Sequence, residues 1–154
     1  MPEPLQDLQR IAAELAPCSM LLVAPPSHLL AGPLAGLGDL SHLDAPALLG
    51  SPGDLPRQRL GLVADTLEHL PAAEGEALLA LLRDRLAETL YCLAQPEQWP
   101  PARMLALGLR PLGTYPQGSG VALYHFDLYD YKRTPDWLNP RHWANPELWD
   151  KHRW

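Results

Sequence analysis

The chain has 154 residues, enough for one domain with a sizeable core, and 47% of them are hydrophobic, which excludes wholesale disorder despite 18 prolines. Its net charge of −6 is uneven: residues 1–123 hold seven Lys/Arg against thirteen Asp/Glu, and residues 124–154 hold five of each. No basic stripe exists to track a phosphate backbone, and no apolar run nears the roughly 20 residues of a membrane span, so neither nucleic acid nor membrane is the expected partner.

The stretch Met1-Pro2-Glu3-Pro4-Leu5 lacks the basic and apolar regions of a signal peptide, so the cytoplasm is the expected location. Residues 4–16 read as a helix with Leu5, Leu8, Ala12 and Leu15 on one face, stopped by Pro17. Residues 20–24 form a continuous apolar run, the pattern of a parallel strand covered on both faces. Pro25-Pro26-Ser27 stops that strand. Ser27 can then cap a short helical turn, with Gly32-Pro33 as its breaker. Residues 40–44 suggest a brief edge strand ending on Asp44, and residues 45–50 one turn of helix. Strand pattern returns at 60–64, helix pattern at about 73–88, and strand pattern at 89–94. Pro100-Pro101 can open a helix that ends at Gly108. The period then changes to two: residues 109–115 and 121–128 flank Pro116-Gln117-Gly118-Ser119-Gly120, which is hairpin chemistry. Cys18 and Cys92 read as small core residues. The strands they belong to have one strand between them, which sets the thiols roughly 9–10 Å apart, too far for a disulfide.

The most informative stretch is Arg59 to Pro71. A short apolar run ends on Asp65, and the turn Asp65-Thr66-Leu67-Glu68-His69-Leu70 leads into a leucine-rich helix. This is a buried strand feeding a helix in an open α/β sheet, whose ligand side is the carboxyl end of the strand. The D-x-x-E-H-L turn, followed by strand, helix and closing hairpin, resembles class I S-adenosylmethionine-dependent methyltransferases over residues 18–128. That resemblance implies a Rossmann-like, mostly parallel sheet with flanking helices. Its first strand would sit beside the 60–64 strand, then the 89–94 strand, then the hairpin at the edge. It also implies that the cofactor would meet Pro26, Ser27 and His28 after the first strand, Asp44 at the ribose, and Asp65 or Glu68 near the reacting centre. From the residues alone, Asp44 reads equally as a surface loop acid. Asp65 and Thr66 read as caps of the following turn, and Glu68 and His69 as solvated helix-entry residues.

Two departures weigh against catalysis. The family's glycine-rich loop lets backbone N–H groups approach the cofactor, and here two prolines remove two donors and stiffen the turn. Only 35 residues, 25–59, lie between the first strand and the fourth-strand equivalent. The elements a full fold places there need about 45 residues before any loop is counted, so at least one strand and one helix are missing. The expected fold is therefore a reduced one. Whether the chain is an enzyme stays open, a methyltransferase being the enzyme class considered. The first expectation is a non-catalytic binding module without a cofactor. The alternative is a small methyltransferase using S-adenosylmethionine through an atypical loop. A hydrolase lacks any G-x-S-x-G or Cys–His pattern.

Eight of the eleven aromatics fall after residue 123. Trp137-Leu138-Asn139-Pro140, Trp143-Ala144-Asn145-Pro146 and Trp149 make a small repeat, with Trp154 last. Asn caps, Pro takes the first helical position, and an indole follows within a turn. Such a segment, 131–154, has to pack on its own domain (1–130), on a second copy in a homodimer, or on another protein. His142, His152 and Asp150 show no recognised zinc spacing, so no metal is expected. The ending W-L-N-P-R-x-W-A-N-P-x-x-W resembles that of a small bacterial family of uncharacterised proteins, and this resemblance implies no activity.

Overall fold

The spacing of Leu5, Leu8, Ile11 and Ala12 buries one stripe of helix α1 (Glu3–Leu15). Pro17 follows that helix, and the apolar run after it forms strand β1 (Ser19–Val23), in which all but the first residue are buried. The coordinates are a computed structural model that describes residues 3–50, 55–115 and 121–128. Along them follow α2 (Ala31–Ala35), β2 (Asp39–Leu43), α3 (Ala45–Gly50), β3 (Gln58–Val63), a 3₁₀ turn at Leu67–His69 and α4 (Ala72–Leu81). A π-helical turn at Leu82–Leu86 leads into β4 (Ala87–Ala94), then α5 (Pro101–Ala106), β5 (Arg110–Thr114) and β6 (Ala122–Asp127).

The strands form one sheet in the order β2-β1-β3-β4-β6-β5. The first four are parallel, and β6 and β5 close the far edge as an antiparallel pair. This is the α/β architecture expected from the sequence, with the expected strand neighbours. Side chains alternate between two cores. Met20, Leu22, Leu60 and Leu62 pack with α1 and with Leu34 of α2, whereas Leu21, Val23, Val63 and Leu90 pack with Leu48, Leu78, Leu79 and Met104 from α3, α4 and α5. Helices therefore cover both faces, as a parallel sheet requires. Trp99 sits in the second core, 2% exposed, beneath Gly75 of α4.

Three local expectations need correction. Gly32-Pro33 does not break a helix but lies in the first turn of α2. A proline is tolerated there because the first-turn N–H groups have no intrahelical acceptor. The helix expected over 73–88 stops being α-helical at Leu81 and widens into the π turn. The Arg57 guanidinium reaches across this turn to the carbonyls of Asp84 and Ala87, and β4 has begun by Ala87. Cys18 is exposed rather than core, because it precedes the strand at the sheet's rim, whereas Cys92 in mid-strand is buried. The expected 131–154 extension lies outside the described residues. Among the described residues, no helix is long and apolar enough to cross a membrane.

Candidate functional site

From β1 the chain crosses to β2 on one side, then returns to β3 on the other. The order of connection therefore reverses between β1 and β3, and the crevice beyond their carboxyl ends is where open α/β sheets hold ligands. Two segments meet at this point: residues 24–28 after β1, and residues 64–68 after β3.

Backbone groups of the first segment are largely committed. The Ala24 N–H donates to the Leu43 carbonyl at 3.2 Å, and Pro25 and Pro26 carry no N–H. The His42 ring, on β2, donates from Nε2 to the carbonyls of Ala24 and Pro25, both at 3.1 Å. Ser27 then turns the chain with φ +62°, a left-handed conformation that side chains disfavour. This turn delivers His28 toward β3.

The second segment is pinned from beneath. The Thr66 hydroxyl, buried, lies 3.0 Å from the Val23 carbonyl and 2.9 Å from that of Ala64, and shares its proton between them. Thr66 therefore ties β3 to β1 instead of capping the following turn, which has no side-chain cap. Asp65 beside it also has a positive φ, +51°, and projects outward.

These two left-handed turns bring His28 and Asp65 together. His28 Nε2 lies 2.6 Å from Asp65 Oδ2, and His28 Nδ1 accepts the Leu30 N–H at 3.2 Å. Because Nδ1 is an acceptor, the neutral ring carries its proton on Nε2 and donates it to Asp65. The histidine side chain is 7% exposed and the aspartate 55%. With both ring nitrogens engaged, His28 has none left to take a proton from a substrate.

The remaining expected site residues lie to either side. Asp44 follows β2, and its Oδ1 accepts the Ala47 N–H at 2.9 Å, which makes it the N-cap of α3. Glu68 leans toward β4. It is not the solvated residue its position suggested: Oε1 is buried without a hydrogen-bond partner, and burial raises the carboxyl above its ordinary range, with Asp65 adding repulsion. A hydrogen bond from its own backbone and the charge of His69 offset part of this rise. Its neighbour Cys92 is pushed up as well, chiefly by burial and then by Glu68. His69 is exposed.

Pro26 and Ser27 thus shape the turn, His28 and Asp65 meet, Asp44 caps α3, and Glu68 is near enough to Asp65 to feel its charge. Sequence reasoning missed His42, whose role depends on carbonyls 17 and 18 positions away in the chain. Trp137, Trp143, Trp149 and Trp154 lie outside the described residues. Among the described residues, no three His, Cys, Asp or Glu side chains group so as to hold a metal ion. Comparison with curated protein sequences finds no match. Comparison with protein families does find one, from residue 2 to residue 154, and the chain belongs to that family of unknown function, DUF6231.

Proposed function

We propose that this chain is a binding module built on a reduced methyltransferase-like frame, that it does not transfer methyl groups, and that residues 131–154 are its contacting element for a protein partner or a second copy. The observation that carries the reading is the His28–Asp65 bridge across the β1/β3 crevice, with both ring nitrogens of His28 already engaged. Pro25 and Pro26 add no N–H donors to receive a cofactor's amino-acid portion, and one oxygen of the Asp44 carboxylate is engaged in capping α3. These residues do not suit S-adenosylmethionine. Equilibrium dialysis of the full chain against millimolar S-adenosylhomocysteine tests this. No retained ligand is expected, and stoichiometric retention would refute the reading.

One observation favours the alternative, a small methyltransferase with an atypical cofactor loop. Glu68 is a partly buried carboxyl held toward its protonated form at the ligand end of the sheet, the kind of group active sites use. The same dialysis separates the two.

A further inference from the structure

The two edges of the sheet are finished differently. At one edge, β5 carries Pro111, which has no N–H to offer, and its register shifts between Pro111 and Gly113. A proline and a bulge are devices that keep a second chain from adding to a sheet. At the other edge, β2 has neither. Its register with β1 runs unbroken from Asp39 to Leu43, and it holds no Lys, Arg or Pro. All of its residues keep some exposure, whereas β1 beside it is buried from Met20 to Val23.

The backbone of β2 has a definite outward set. The Leu43 carbonyl accepts the Ala24 N–H, so the backbone groups of Leu43 face β1. Alternation along the strand turns those of Ser41 and Asp39 the same way, and those of Leu40 and His42 outward. The His42 ring is engaged with the Ala24 and Pro25 carbonyls, but its backbone N–H and C=O sit on the outer side. Among the described residues, β1 is the only strand that pairs with β2.

We propose that β2 pairs antiparallel with β2 of a second copy, about a two-fold axis through Ser41, joining two six-stranded sheets into one. The inference goes beyond the function proposed above and does not rest on it, since it uses a surface other than residues 131–154. The register follows from the outward set. Leu40 of each copy stands opposite His42 of the other, so both pairs exchange N–H···O=C bonds. Ser41 meets Ser41 at the closely spaced non-hydrogen-bonded position, where two hydroxyls can bond each other. Asp39 falls opposite Leu43, which leaves the two Asp39 carboxylates about 14 Å apart, beyond the Debye length of about 8 Å. The like charges that do approach are Asp39 of one copy and Asp44 of the other, so added salt is expected to strengthen the pairing. An edge about 17 Å long, on three layers about 30 Å deep, offers about 500 Å² per copy. That is the small end of specific interfaces, and the dimer is a transient one with a Kd of about 10–100 µM.

Sedimentation velocity of the full chain from about 5 to about 500 µM tests the association, and the mass is expected to rise from monomer toward dimer. Ser41→Lys sets like charges directly opposite each other at the axis and is expected to raise Kd about tenfold. Thermal unfolding of that variant at low concentration confirms that the domain stays folded. Cross-linking in a Cys18→Ser background then tests the register. At the axis the two Cα atoms of residue 41 are about 4.5 Å apart, so Ser41→Cys is expected to give a disulfide-linked dimer on mild oxidation. Asp39→Cys, with its two copies about 14 Å apart, is expected to give none. A chain that stays monomeric at the highest concentration would overturn the proposal. So would a dimer that Ser41→Lys leaves unchanged, or Asp39→Cys linking as readily as Ser41→Cys, either of which would put the contact on another surface.

Discussion

His28 and Asp65, 37 positions apart in the chain, are joined at 2.6 Å across the point where the sheet reverses its order of connection. Removing the ring costs both this bond and the acceptor of the Leu30 N–H, and it leaves a void under a nearly covered side chain. His28→Ala is expected to lose about 1–2 kcal/mol, a fall in Tm of about 2–8 °C for a chain of this size. Asp65→Asn keeps a carbonyl oxygen for the imidazole N–H and is expected to lose less than half as much. Thermal and urea unfolding of the two variants checks both the size and the order.

Ser27 provides a test of the turn itself. Its φ of +62° costs a non-glycine residue about 1–2 kcal/mol, while glycine's extra unfolded-state freedom costs about 0.5–1. Ser27→Gly is therefore expected to be neutral or to gain up to about 1.5 kcal/mol. Ser27→Val, β-branched in a left-handed position, is expected to lose more than about 1 kcal/mol. Equal stabilities for the two would show that this turn is not under strain.

In α4 two effects oppose each other at Gly75. Alanine would gain about 1 kcal/mol in helix propensity. Its Cβ, however, would meet Trp99 Cζ2 at 2.4 Å and Cη2 at 2.7 Å, and that ring is 2% exposed, so the buried indole would have to shift. Overpacking of this kind costs about 1–3 kcal/mol, so Gly75→Ala is expected to be net destabilising. Chemical denaturation decides the sign.

Glu68 makes stability depend on pH in a definite direction. Burial raises its folded-state pKa above the ordinary 4.5. Below pH 4.5 both the folded and unfolded chains hold the proton, and this residue carries no penalty. As pH climbs from there through the raised folded value, the unfolded chain releases its proton first and stability falls. Glu68→Gln has nothing to release. Its advantage over the parent should be absent in acid and grow as pH rises toward neutral, as urea unfolding across pH 4–8 would reveal. A constant offset at every pH would contradict the burial of this carboxyl.

The frame was legible because its signals are local. Met20–Ala24 and Leu60–Ala64 are apolar runs bounded by proline or acid, and the alternation from Val121 to Phe126 marks the closing hairpin. Boundaries blurred where composition carries no stop: Leu82-Arg83-Asp84-Arg85-Leu86 holds good helix formers, so nothing in it announces the π turn or a strand starting at Ala87. The site was less legible for a different reason. Asp44, Asp65 and Glu68 could be picked as acids at strand ends, but their employment is settled by partners distant in sequence. Asp44 turned out to cap α3, Thr66 to bond the Val23 carbonyl, and His42 to hold the proline loop through Ala24 and Pro25.

The central claim is that the β1/β3 crevice, bridged by His28 and Asp65, does not hold a methyl donor. Thermal unfolding of the full chain with and without excess S-adenosylmethionine and S-adenosylhomocysteine tests it most directly. A ligand at 100 times its Kd adds about 2.7 kcal/mol, or about 5–11 °C in Tm for a chain of this length. The account predicts no shift with either compound at millimolar concentration. A shift of several degrees with either one would contradict it and return the chain to the methyltransferases.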